Sequence, residues 1–201
     1  QIDQRKEAAA WVQHLLRQFP GSPRVGEARL WLADAFAGTG NRTDAHVLYV
    51  RVAEAYSGTK LGADAIARLG ELAYDEGDYR EAVNQLEAYL RVATTVEGHD
   101  RVYLVLAKAY RALAQLDEAH RVLNELIRFF PENETTPAAL IELSQLLDEM
   151  GHRKEALRTA SRAARTYRDN PLVLENAGDL YGLAGETAQA ARYWMDAHLA
   201  G

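Results

Sequence analysis

The sequence predicts an all-α array of stacked antiparallel helix pairs, and three observations carry that prediction. A buried-type alanine recurs at Ala8, Ala45, Ala82, Ala119 and Ala156 at a spacing of 37, and again at Ala190 after 34. Turn-type residues recur in step with it, at Gly40, Gly77, Ala114, Gly151 and Gly185. Apolar residues between these markers follow the helical period. A repeat of this length is one helix-turn-helix unit, which buries its apolar face only by stacking on its neighbours.

With Ala82 set as position 20 of a unit, each element follows by counting. Position 7 reads Leu32, Leu69, Leu106, Leu143 and Ala177, and position 8 reads Ala33, Gly70, Ala107, Ser144 and Gly178. Small residues at 8 and 20 let the two helices of a unit approach closely. Bulkier ones at position 11 (Phe36, Ala73, Tyr110, Leu147, Tyr181) and position 24 (Tyr49, Leu86, Leu123, Ala160, Trp194) fill the seam beside them. The glycines end the first helices, where a left-handed residue is least costly. Asn41 with Asp44, and Asp78 with Glu81, are the expected starts of second helices.

The count is five full units, at about 24–56, 60–93, 99–130, 136–167 and 171–201, preceded by a half unit at 3–19. The whole of 1–201 is expected to form one domain. Ala8, Val12 and Leu15 place the half unit among second helices, so an upstream helix is expected. Trp194, Met195 and Leu199 give the last helix more apolar surface than a solvated cap needs, so both ends are expected to continue in a longer chain.

These residues resemble the tetratricopeptide repeat family, whose Trp-x-x-Leu-Gly-x-x-Tyr, Ala-x-x-x-Phe and Pro pattern matches most closely over Asn170–Gly201. There Pro171, Gly178, Tyr181, Gly185, Ala190 and Trp194 are in register. The tryptophan of position 4 is absent throughout. The resemblance implies a right-handed α-solenoid. The joints Phe19-Pro-Gly-Ser-Pro, Tyr56-Ser-Gly-Thr and Phe130-Pro-Glu-Asn are similar to those of a bacterial envelope subset. That subset includes the Tol-Pal-associated repeat protein and the lipoprotein of the outer-membrane barrel assembly machine. Ala93 and the missing prolines after Tyr56 and Tyr167 depart from it.

Composition narrows the function. The 201 residues carry a net charge of −6, which opposes sequence-independent binding to phosphates, so nucleic acid is not an expected partner. No apolar run reaches the ~18–20 residues of a membrane span, so direct insertion is not expected. With no cysteine there is no disulfide, thiolate site or thiol nucleophile. That suits an oxidising compartment, and with the joints it gives a periplasmic or envelope location as the expectation and the cytoplasm as the alternative.

Candidate chemistry falls to structural readings. Gly38-Thr-Gly40-Asn-Arg-Thr43 lacks the third glycine and the preceding strand of a nucleotide loop, and it coincides with a repeat turn. The six histidines have no partner at metal-ligand spacing, so no metal or cofactor is expected. His99-Asp100 reads as a helix start capped by Asp100, not as an acid-base pair. No nucleophile, base and oxyanion set is readable, and an enzyme is not expected.

The resemblance implies instead that a protein or peptide partner lies on the inner face, lined by first-helix positions 2, 5, 6, 9, 12 and 13. Counting places there Trp31, Asp34, Arg68, Glu71 and Tyr74, then Arg101, Leu104, Lys108 and Arg111, then Glu142, Gln145, Glu175 and Asp179. Trp31 and Tyr74 are the expected anchors, and the face is expected to be striped acidic, basic, acidic. The two-carboxylate clamp that holds chaperone tails needs Lys or Asn where this chain has Leu30, Asp34 and Ala67, so a chaperone-tail adaptor is not expected. The alternatives are a homo-oligomer built through the terminal helices, or the non-catalytic repeat region of a larger enzyme or secretion machine.

Overall fold

A computed structural model describes residues 2–201, with side chains described for 7 and from 9 onward. The expected repeat alanine at Ala8 therefore has a side chain outside the described residues. The described chain is helical, with no strand, and it falls into two compact units, 1–97 and 98–201.

The first unit contains α1 (Ile2–Gln18), α2 (Val25–Gly38), α3 (Arg42–Ala55), α4 (Lys60–Glu76) and α5 (Tyr79–Val92). Each helix packs on its chain neighbour, as in α2 on α3 and α4 on α5, and α2 also touches α4. The second unit contains α6 (His99–Ala112), α7 (Leu116–Phe129), α8 (Thr136–Glu149), α9 (Arg153–Thr166), α10 (Pro171–Leu183) and α11 (Thr187–Ala200). Its first helices α6, α8 and α10 likewise touch in succession, which creates a face made of first helices alone.

The repeat alanines explain the close pairing. Ala45, Ala82, Ala119, Ala156 and Ala190 are each 0% exposed, at the point where two helices of a pair meet. Opposite them, a Cβ added at Gly70 would stand 2.6 Å from Leu86 Cγ, and one at Gly178 would stand 2.5 Å from Trp194 Cδ1 and Nε1. Real carbon atoms in contact need more than 3 Å, so the partner side chain occupies the space glycine vacates. The bulky residues fill the seam as the counting predicts: Leu86 and Leu123 are buried, and Tyr49 is 2% exposed.

The turns follow one plan. Asp78 N–H donates to Ala73 O at 2.9 Å and Gly77 N–H to Tyr74 O at 3.0 Å, around a Gly77 with φ +82°, so the last carbonyls of α4 are satisfied. Ala114 takes the same left-handed role with φ +57°, against the steric preference of an L-residue. Asn41 and Asp78 cap α3 and α5 by accepting from Asp44 N and Glu81 N. Asp100 does not cap α6: Gly98, with φ +82°, is the cap residue, and Asp100 lies in the first turn of the helix. There its charge still faces the positive end of the helix dipole.

Candidate functional site

Each expected site residue lies on a first helix, and within each unit polar contacts join some of them. In the first unit, Asp34 of α2 accepts the Tyr49 hydroxyl at 2.7 Å and pairs with Arg68 Nε of α4 at 3.3 Å. Arg68 also holds Glu71 at 2.9 Å, one turn along its own helix. Burial pushes the Tyr49 phenol well above its ordinary value, and the Asp34 hydrogen bond and charge push it further. Burial alone would lower the Arg68 guanidinium, but Glu71 and Asp34 outweigh it and the group is raised. Trp31 stays exposed on α2, and Tyr74 stacks obliquely on Tyr79 with ring centres 5.5 Å apart.

The second unit holds the larger arrangement. Arg111 of α6 reaches across to α8, where it meets Glu142 at 3.0 Å, Glu149 at 2.8 Å and Gln145 at 3.3 Å. Lys108 also meets Glu142, at 3.5 Å. Gln145 then donates to Asn176 of α10 at 3.0 Å, and Asn176 donates to the buried Ser144 at 2.8 Å. Ser144 donates in turn to Ile141 O at 2.9 Å, so no buried member of this ladder lacks a partner. Burial would lower Arg111, yet its bonds to Glu149 and Glu142 raise it, so the guanidinium stays charged.

Beside this ladder lies a cavity of about 400 Å³, walled by Arg111, Gln145, Asp148, Glu149, Asn176, Asp179, Leu180 and Leu183. Asp148 is held by Arg153, which also donates to Leu183 O. Asp179 accepts from Trp194 Nε1 at 2.9 Å. Of the expected residues, Arg111, Gln145 and Asp179 line the cavity, and Lys108 and Glu142 brace it. Glu175 and Arg101 are exposed and Leu104 is half-buried, all three outside the cavity wall. Leu183, at position 13, lies at one of the expected face positions without having been singled out, and Leu180, at position 10, is a wall residue that sequence reasoning missed. The signal for Leu180 was the apolar stripe of α10.

The expected basic stripe is not an open cationic surface. Arg111 and Lys108 are neutralised by carboxylates of the next first helix, as Arg68 is by Asp34 and Glu71. An exposed face of fixed polar groups and paired charges offers hydrogen bonds and shape to an extended chain, with little long-range attraction. Gly38–Thr43 forms the turn from α2 to α3, with Asn41 bonded to Asp44, and carries no phosphate-loop geometry. Among the described residues no cluster of His, Asp and Glu fits a metal ion, and no helix is long and apolar enough to cross a membrane.

A tetratricopeptide repeat signature matches residues 73–135. No curated protein matches the chain. Among solved structures, MamA superimposes with a TM-score of 0.68 at 20% identity, covering 84% of this chain and 93% of that one. YrrB, described as "a TPR protein with an unusual peptide-binding site", gives 0.66 at 16% identity, covering 94% and 91%. The pilF protein of Pseudomonas aeruginosa gives 0.75 at 19% identity, covering 95% and 82%. The fold is therefore the helix-pair array of tetratricopeptide repeat proteins, with the family's own signature in residues 73–135.

Proposed function

We propose that the chain is a non-enzymatic scaffold that holds an extended segment of a protein partner on the first-helix face of residues 98–201. The observation that carries the reading is the cavity beside the Arg111–Gln145–Asn176 ladder. It combines preorganised donors and acceptors with the apolar walls of Leu180 and Leu183, the composition of a recognition site. The partner is a component of a bacterial envelope complex and the chain works in the periplasm. This finer reading is supported by the aromatic-proline joints at Phe19 and Phe130 and by the absence of cysteine.

The test is affinity capture from bacterial envelope and cytoplasmic extracts, with wild type beside an Arg111→Ala/Gln145→Ala variant of unchanged helicity. The reading expects an envelope protein retained by wild type and lost by the variant. Identical retention by both refutes the cavity, and retention only from the cytoplasmic extract refutes the location. A second reading, self-association, is favoured by the stripe of Trp11 and Leu15 on α1 and Phe19 just after it, each more than half exposed. A light-scattering mass that stays constant with concentration would dismiss it.

A further inference from the structure

The second helices form grooves of their own, away from the first-helix face. In the first unit, α1 and α3 flank such a groove and α2 floors it, with a volume of about 490 Å³. Leu32 is buried in the floor, and Leu16, Phe36 and Leu48 lie half-buried around it in one apolar cluster. Arg17 of α1, Arg29 of α2 and Arg51 of α3 stand around that floor, one from each helix. None of the three forms an ion pair among the described residues, whereas Arg68, Lys108 and Arg111 of the first-helix face are all neutralised. The acid in the wall, Asp44, is already engaged, since Asn41 Nδ2 donates to it at 2.7 Å. In a chain of net charge −6, this leaves a local cationic ring over an apolar floor.

The second unit builds a groove from the same repeat positions, between α9 and α11 over α10, with a volume of about 660 Å³. Leu16 and Arg17 correspond there to Ala164 and Arg165, and Val47 and Leu48 to Arg192 and Tyr193. The recurrence ties the groove to the way second helices lie on a first helix. It also shows that neither groove is open merely for want of a further helix. In the first unit α4 packs on α3 yet lines no part of the groove, and in the second α8 packs on α9 with the same result. A helix added by the same packing before α1 or after α11 therefore leaves both open. The charges differ between the two: Leu174 stands where the first groove has Arg29, and Asp196 where it has Arg51. With Asp169 also in its wall, the second groove balances its arginines and the first does not.

We propose that the groove of α1, α2 and α3 docks an acidic amphipathic helix of a partner protein. Carboxylates on the flanks of that helix meet Arg17, Arg29 and Arg51, and its apolar side chains reach down to Leu16, Phe36 and Leu48. The recessed floor, with Leu32 only 2% exposed, is out of reach of a flat bilayer surface. A phosphate backbone would pair with the arginines and leave the apolar floor unfilled. The inference rests on the scaffold reading for the class of partner. It uses a different unit from the Arg111 cavity, so the two fail separately.

The probe is a capped, fluorescein-labelled helical peptide of about five turns, with leucines along one face and glutamates on both flanks. A second peptide carries lysine in place of every glutamate. Each is titrated against the protein and followed by anisotropy. The expected result is saturable binding of the glutamate peptide, about tenfold or more tighter than that of the lysine peptide and weakened by salt. Arg29→Glu/Arg51→Glu, with helicity and melting unchanged, inverts the preference, while Arg165→Glu/Arg192→Glu and Arg111→Ala leave it as it was. Absence of saturable binding at millimolar peptide, equal binding of the two peptides, or a preference that survives Arg29→Glu/Arg51→Glu overturns the proposal. Loss in Arg165→Glu/Arg192→Glu instead moves the site to the second unit and overturns it equally. Phosphatidylglycerol vesicles or a single-stranded oligonucleotide that bind wild type, displace the peptide and fail to bind Arg29→Glu/Arg51→Glu assign the groove to a membrane or to nucleic acid and overturn the partner helix.

Discussion

Gly178→Ala sets two known effects of similar size against each other. In an exposed helix, replacing glycine by alanine stabilises by about 1 kcal/mol, because the glycine backbone loses more freedom on folding. At Gly178 the new methyl carbon stands 2.5 Å from Trp194 Cδ1 and Nε1 and 3.1 Å from Cγ. These atoms begin the rigid indole, so no rotation of a flexible tip relieves the overlap. The ring must leave the seam. An aromatic side chain buries roughly 150–250 Å², and Trp194 is 45% exposed, so about half of that area at ~25 cal/mol per Å² gives roughly 2–3 kcal/mol lost. The hydrogen bond to Asp179 goes with it, about 1 kcal/mol more. The expected net effect is a destabilisation of about 2–3 kcal/mol. Urea unfolding followed by circular dichroism measures it, and Trp194 emission in a Trp11→Phe/Trp31→Phe background moves to longer wavelength. The double variant Gly178→Ala/Trp194→Leu recreates the Ala107 and Leu123 pair that α6 and α7 already bury, and it recovers part of the loss. A Gly178→Ala protein as stable as wild type, with unshifted emission, would refute the claim that the indole fills the glycine gap.

Three further outcomes follow from the same structure. Ala114→Gly relieves a left-handed alanine and raises stability by about 1 kcal/mol in the same unfolding assay, alone among the turn positions in favouring a change. Asp78→Ala removes the side-chain acceptor for Glu81 N–H and costs about 1 kcal/mol, which Asp78→Asn largely restores. The Tyr49 phenol is raised by burial and Asp34, so its stabilising effect is complete below tyrosine's ordinary value of about 10. Above that value the unfolded chain ionises while the folded one does not, and stability falls by up to ~1.4 kcal/mol per pH unit. Tyr49→Phe flattens this alkaline slope, as denaturant melts between pH 9 and 11 will show; an unchanged slope would mean that another group controls it.

The fold was legible because its constraint falls on residue size at fixed intervals. Only a small residue fits where Ala82 and Ala119 touch the paired helix, so the spacing of one small residue reports the geometry directly. The left-handed turns were legible at Gly40, Gly77, Gly151 and Gly185 for the same reason, and Ala114 was found by register despite its chemistry. Asp100 was misassigned because a glycine with positive φ, Gly98, had already turned the chain two residues earlier, leaving the carboxylate inside the helix. The site was legible as a set of positions and not as a network. Counting puts Arg111 and Lys108 on the face. Their charges read as a basic stripe until the first helices are laid side by side and Glu142 and Glu149 neutralise them. The spacing from Asp34 to Arg68 held that information, since opposite charges 34 residues apart, one 37-residue repeat less three residues, meet across successive first helices.

The polar contacts between successive first helices also distinguish one order of the helices from another. Repeats alike in shape invite a helix to settle beside the wrong neighbour, a hazard for every array of similar units. Here a skipped unit is penalised at once. Glu71 placed against Glu142, as happens when the third repeat is skipped, sets two acids together, and Asp34 placed against Val105 instead of Arg68 leaves an acid beside an apolar side chain. The seam residues, nearly interchangeable from one pair to the next, give no such discrimination. Thus the polar edge proofreads succession while the apolar seam supplies adhesion, and exchanging two units would leave the packing intact and scramble the sequence of pairings.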